Sequence, residues 1–97
     1  MLDESAGPDA LGRTRSGKVV PRTSVTRRGW VGSVRYFTGD DHRDAARLHY
    51  EEHRRLLRAS LEERDRKKQK ALDRASDSHT HQQRRHADAA RALEANP

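Results

Sequence analysis

Between residues 40 and 75 the chain contains neither glycine nor proline, and that stretch is entered through Thr38-Gly39-Asp40-Asp41. Thr38 and Asp41 stand at the spacing of a capping box, in which each residue's side chain bonds the other's backbone N–H. Asp40, Asp41 and Asp44 fall where the positive end of a helix dipole favours acids. Glu51–Arg55, Glu62–Arg66 and Glu63–Lys67 are acid-to-base pairs four residues apart, in the favourable order. The pattern predicts a helix over residues 40–75, roughly 35 residues long. The polar run SDSHT at residues 76–80 predicts a break. Thr80 and Gln83 repeat the capping-box spacing and predict a second helix over residues 80–95, ending near Asn96-Pro97.

Such helices need something to bury, and this chain has little. Of 97 residues 31% are hydrophobic and 37% charged, and isoleucine is absent. Low apolar content with high charge describes chains that offset their ordering entropy poorly. The expected fold class is therefore mainly α with little or no independent globular core. Ala46, Tyr50, Leu57 and Leu61 form an apolar stripe, with Leu48 and Leu56 beside it. Residues 62–70 then hold no apolar side chain, so a coiled-coil seam persists for about two heptads, which allows self-pairing without implying it.

The N-terminal third differs in kind. Residues 1–17 are rich in glycine and polar residues and predict a disordered tail. Residues 18–39 contain KVVP, SVT and WVGSVRYFT, valine- and aromatic-rich runs broken by Pro21 and Gly29, which predict short extended or hairpin-like segments. Trp30, Val34 and Phe37 also fit one helical face, against which Gly29 and Gly32 argue. Residues 40–97 make up the charged helical region.

Charge is distributed unevenly. Residues 10–39 carry seven lysines and arginines and no acid, whereas residues 40–97 hold fourteen against twelve acids. A basic arm followed by a near-balanced polyampholyte suits a polyanion partner. Seventeen arginines against four lysines, with frequent alanine, is the bias a GC-rich genome imposes, so the clustering of charge is informative and the arginine count is not.

Several short motifs resemble chemistry-bearing ones. GRTRSGKV at residues 12–19 nears a phosphate-binding loop, but Val19 replaces the required hydroxyl and Pro21 opposes the following helix. HYEEH at residues 49–53 fits the H-x-x-E-H of inverted zincins, with Glu52 as the base and His42 seven residues upstream of His49. A catalytic zinc needs a third ligand and a cavity, so exposed polar residues are the simpler reading. HRD at residues 42–44 lacks every other kinase element. HRDAAR at residues 42–47 and HADAAR at residues 86–91 read as composition bias, since an array needs longer and more numerous copies. The expectation is a non-enzymatic protein with no cofactor and no metal. The absence of cysteine excludes disulfides and thiolate sites. No apolar run approaches a membrane span, no secretory signal is visible, and a cytoplasmic location is expected.

Two functions remain. In the first, Arg13, Arg15, Lys18, Arg22, Arg27, Arg28 and Arg35 neutralise phosphates while Trp30, Tyr36 and Phe37 stack on unpaired bases, making the chain a small basic RNA- or DNA-binding accessory protein. In the second, the Ala46/Tyr50/Leu57/Leu61 stripe docks on a partner helix or groove, while Trp30 and Phe37 fold back on the start of the helix as a small hydrophobic plug, as in a helical adaptor or assembly factor. Interfacial membrane attachment through RRGWVGSVRYF is a minor third reading, because its apolar face is short and glycine-broken. Exposed aromatics favour the first function and buried ones the second.

Overall fold

The computed structural model describes residues 10–95. Two helices dominate, α1 (Gly39–Glu62) and α2 (Arg66–Ala95), folded antiparallel on each other as a hairpin. The chain is mainly helical, as its pattern predicts. Ahead of the helices lie two short antiparallel ribbons, β1 (Ala10–Arg13) with β2 (Val19–Pro21) and β3 (Val25–Thr26) with β4 (Gly29–Trp30). A 3-10 helix, Gly32–Tyr36, leads from them into α1.

The start of α1 follows from its sequence. Thr38 is extended and its hydroxyl accepts from the Asp41 N–H at 3.2 Å, while Asp41 Oδ2 accepts from the Thr38 N–H at 3.0 Å. This completed capping box satisfies donors that the first helical turn leaves orphaned.

The break between helices falls at residues 63–65, not at residues 76–80. Glu63 is extended, and its carboxylate accepts from the N–H groups of Arg64 and Asp65 at 3.1 Å each. Asp65 in turn accepts from the Lys67 N–H at 2.9 Å and so caps α2. The apolar gap at residues 62–70 is thus the tip of the hairpin. Residues 76–80 stay helical because their polar groups find partners on α1. Ser76 is buried, with its hydroxyl 2.6 Å from His53 Nδ1, and Thr80 Oγ1 lies 2.9 Å from the same nitrogen.

A second correction concerns residues 10–17, expected to be disordered. They form β1 and a tight turn in which Gly17, at φ +92°, donates its N–H to the Thr14 carbonyl at 2.9 Å. Leu11 is what holds the strand, packing with Trp30 and Leu48 around Val20, Val34, Phe37 and Ala45. The rest of the expected tail, residues 1–9, lies outside the described residues. That apolar cluster sits where the ribbons meet the first turns of α1 and forms the head of the molecule. Beyond it the helices meet along polar side chains: His42, His49, Glu52 and Ser60 from α1, Ser76, His79, Gln82 and His86 from α2, with Leu56 and Ala90 among them. The buried line of α1 is therefore turned away from the Tyr50/Leu57/Leu61 stripe, which faces outward.

Candidate interaction surfaces and the histidine seam

Acids at the start of α1 hold part of the basic arm. Lys18 Nζ lies 2.5 Å from Asp41 Oδ2, and Ser16 Oγ donates to Asp41 Oδ1 at 2.7 Å. Burial works to raise the Asp41 carboxyl, but the bonds from Lys18, Ser16 and Thr38 outweigh it and hold the group well below the usual carboxylate range. The Arg15 N–H donates to Asp44 at 2.8 Å and its guanidinium lies 3.5 Å away. Arg22 and Arg55 both bond Glu52. Led by the Arg55 bond, these contacts bring Glu52 down to about 2. Arg13 bonds the Gly17 carbonyl at 2.6 Å. Arg27 and Arg28 are exposed in the turn between β3 and β4, and the exposed Arg35 lies 5.8 Å from the Tyr36 ring.

The three aromatics of the head divide. Phe37 is 4% exposed, and Trp30 is half-buried with its ring 4.9 Å from His42 and 4.7 Å from His86. Tyr36 is 74% exposed. Of the residues expected to stack on bases, only Tyr36 is presented to solvent. Of the expected partner-helix residues, Ala46 is half-buried, while Tyr50, Leu57 and Leu61 are exposed along α1, with Arg54 and Arg58 completing the wall of a shallow groove beside the two leucines.

The helical region is balanced only in total. Residues 54–74, around the tip, carry nine lysines and arginines against four acids. All nine cations are exposed: Arg54, Arg55, Arg58, Arg64, Arg66, Lys67, Lys68, Lys70 and Arg74. Among the described residues, Arg55 alone of these closes an ion pair. Asp41 and Asp44, on the first turns of α1, pair instead with Lys18 and Arg15 of the arm.

Sequence reasoning missed the histidines of the helix interface. His42 Nδ1 meets His86 Nδ1 at 2.9 Å, and His49 Nδ1 meets His79 Nδ1 at 2.8 Å. Ser24 Oγ, from the ribbon connection, reaches His49 Nε2 at 2.8 Å. The signal was available in the seven-residue spacing of 42/49 and of 79/86. It was also present in the HRDAAR/HADAAR pair, whose leading histidines face one another across the hairpin. The other short motifs dissolve into this packing. Lys18 of GRTRSGKV is held by Asp41 rather than by a phosphate cradle. In HYEEH, His49 turns to His79, Glu52 to arginines and His53 to Ser76. Among the described residues no three histidine or carboxylate side chains converge on a metal position.

The chain is thus an antiparallel helical hairpin with a β-ribbon head, a polar seam and a basic tip. Comparison with protein-family models, curated proteins and solved structures yields no match to it. No described helix is long and apolar enough to cross a membrane.

Proposed function

We propose that this chain is a non-enzymatic accessory protein of the cytoplasm that binds the phosphate backbone of nucleic acid through the basic tip of its helical hairpin. One observation carries the reading: the exposed cations of residues 54–74 outnumber nearby acids by about two to one, and only Arg55 is engaged in an ion pair among the described residues. In the arm, by contrast, Arg15, Lys18 and Arg22 are already held by acids of α1. The arm's exposed Arg27, Arg28 and Arg35 supply a secondary contact. Phosphate contacts position a protein without reading bases, so binding is sequence-independent and steep in salt. The test is anisotropy of labelled single-stranded RNA and duplex DNA between 50 and 200 mM salt. Reversing Lys67, Lys68 and Lys70 to Glu lowers affinity at least ~10-fold and flattens the salt slope by about three. Reversing Arg27 and Arg28 has the smaller effect. Binding that ignores salt, or that survives the tip reversal, overturns the reading.

A second reading rests on a separate observation. Among the described residues, three of the five exposed large apolar side chains, Tyr50, Leu57 and Leu61, lie along one line of α1, interleaved with Arg54 and Arg58. That face suits an amphipathic partner helix flanked by acids. A Leu57→Asp/Leu61→Asp variant loses a nuclease-resistant protein partner on purification if this reading holds; retention of every partner refutes it.

A further inference from the structure

Four imidazoles, His79, His49, His86 and His42, form a continuous ladder inside the hairpin. Ring centroids along it are 5.0, 5.4 and 5.1 Å apart, and His49 stacks on His86 at an interplanar angle of 21°. All four are buried. A neutral imidazole carries one N–H, so each Nδ1···Nδ1 contact is satisfied when one ring donates and the other accepts. Adding a proton to both members of a pair sets N–H against N–H and turns the bond into a repulsion.

The surroundings supply little to receive such charge. His86 Nε2 is buried with no hydrogen-bond partner among the described residues. An N–H there would be a stranded donor, so His86 is assigned the Nδ1–H tautomer that donates to His42. Trp30 and Phe37 cover this end of the ladder with apolar rings. Asp41 faces His42, and Glu52 faces His49 and His79, but Asp41 is engaged by Lys18 and Glu52 by Arg22 and Arg55. Arg22, Arg55 and His53 oppose a charge on His79.

We propose that this histidine ladder is a proton-operated clasp, closed while its imidazoles are neutral and opened by mild acid, which parts α1 from α2 at the head. Burial, reinforced by the neighbouring imidazoles, brings His49 down to about 4 and His86 to about 3, and burial lowers His42 and His79 as well. Their folded values lie below the unfolded value of about 6.5, so the unfolded chain binds more protons and stability falls as pH drops below ~6.5. The lowered carboxyls of Asp41 and Glu52 add their own loss only below ~4.5. The interval between is governed by the ladder. At pH 5.0 each imidazole kept neutral lowers the folding constant ~30-fold relative to pH 7.5, and His49 with His86 lower it ~10³-fold together.

The experiment is urea unfolding of the full chain at pH 7.5 and 5.0, followed by circular dichroism and by emission of Trp30, the chain's single tryptophan. The expected result is a ~10³-fold or greater drop in the folding constant at pH 5.0, and a markedly smaller drop in a His49→Leu/His86→Leu variant. Should that variant fail to fold, ¹⁵N imidazole titration of the native chain decides the matter. His49 and His86 titrating below pH 5, with His86 protonated on Nδ1 at neutral pH, supports the clasp. Imidazoles that titrate near 6.5, or equal stability at the two pH values, overturns it.

Discussion

Replacing Asp41 tests how the head is held on α1. This carboxylate is 3% exposed and works three ways at once: it completes the capping box with Thr38, accepts from Ser16 and pairs with Lys18. Losing one member of a buried ion pair costs about 3–5 kcal/mol when the other is stranded. Here the Lys18 side chain is 39% exposed and returns to water, which brings that part down to about 2 kcal/mol. The lost cap adds about 1 kcal/mol. Asp41→Ala therefore destabilises by about 3 kcal/mol, a fall in melting temperature of roughly 12–24 °C for a domain of this size. Asp41→Asn keeps the acceptor without the charge and costs about half as much. The reverse substitution is the sharper test. Lys18→Met leaves the buried carboxylate with neutral donors only, so pairing it with Asp41→Asn should recover stability, with a coupling of about 1–2 kcal/mol in the double-mutant cycle. Because the Asp41 carboxyl is lowered on folding, its contribution is present above pH ~4 and lost as pH falls further. Thermal and urea unfolding at pH 7.5 measure all of this. A change under 0.5 kcal/mol for Asp41→Ala, or zero coupling to Lys18, refutes the account.

Other substitutions separate the parts of the fold. Phe37→Ala empties the centre of the small apolar cluster and should cost about 3–4 kcal/mol by urea unfolding, with Trp30 emission shifting red. Asp65→Ala removes the cap of α2 at the tip and should cost about 1 kcal/mol without altering helix content in the head, as amide exchange will show. Ser76→Ala strips His53 of its 2.6 Å partner inside the seam and should cost about 1–2 kcal/mol, whereas an exposed SDSHT loop would tolerate it freely.

The start of α1 was legible because a capping box is local: Thr38 and Asp41 suffice to form it wherever the chain goes next. The turn at residues 63–65 was legible only as a missing apolar seam. Its caps, Glu63 and Asp65, are charged residues in a charged run and carry no distinct signature. The SDSHT run pointed to a loop because serine, threonine and aspartate favour turns, and that preference was overridden by partners 23 and 27 residues away in sequence, His53 to Ser76 and His53 to Thr80. The outward stripe of α1 was visible by hydropathy, yet the helices meet along a different, polar line. A seam built mostly of histidine, serine, glutamine and glutamate, with Leu56 and Ala90 among them, has little hydrophobic contrast to detect.

Sequence alone determined that this chain is mainly helical, where its first long helix begins, that its apolar residues are few, and that its cations are clustered. Those properties depend on neighbours within a turn or on simple sums of composition. Tertiary structure decided which polar groups became interior, which cations were neutralised by acids and which remained at the tip, and that four histidines form one ladder. These outcomes depend on pairings such as His42 with His86, 44 residues apart. A polar side chain is interior or exterior only once its hydrogen-bond partner has been brought to it.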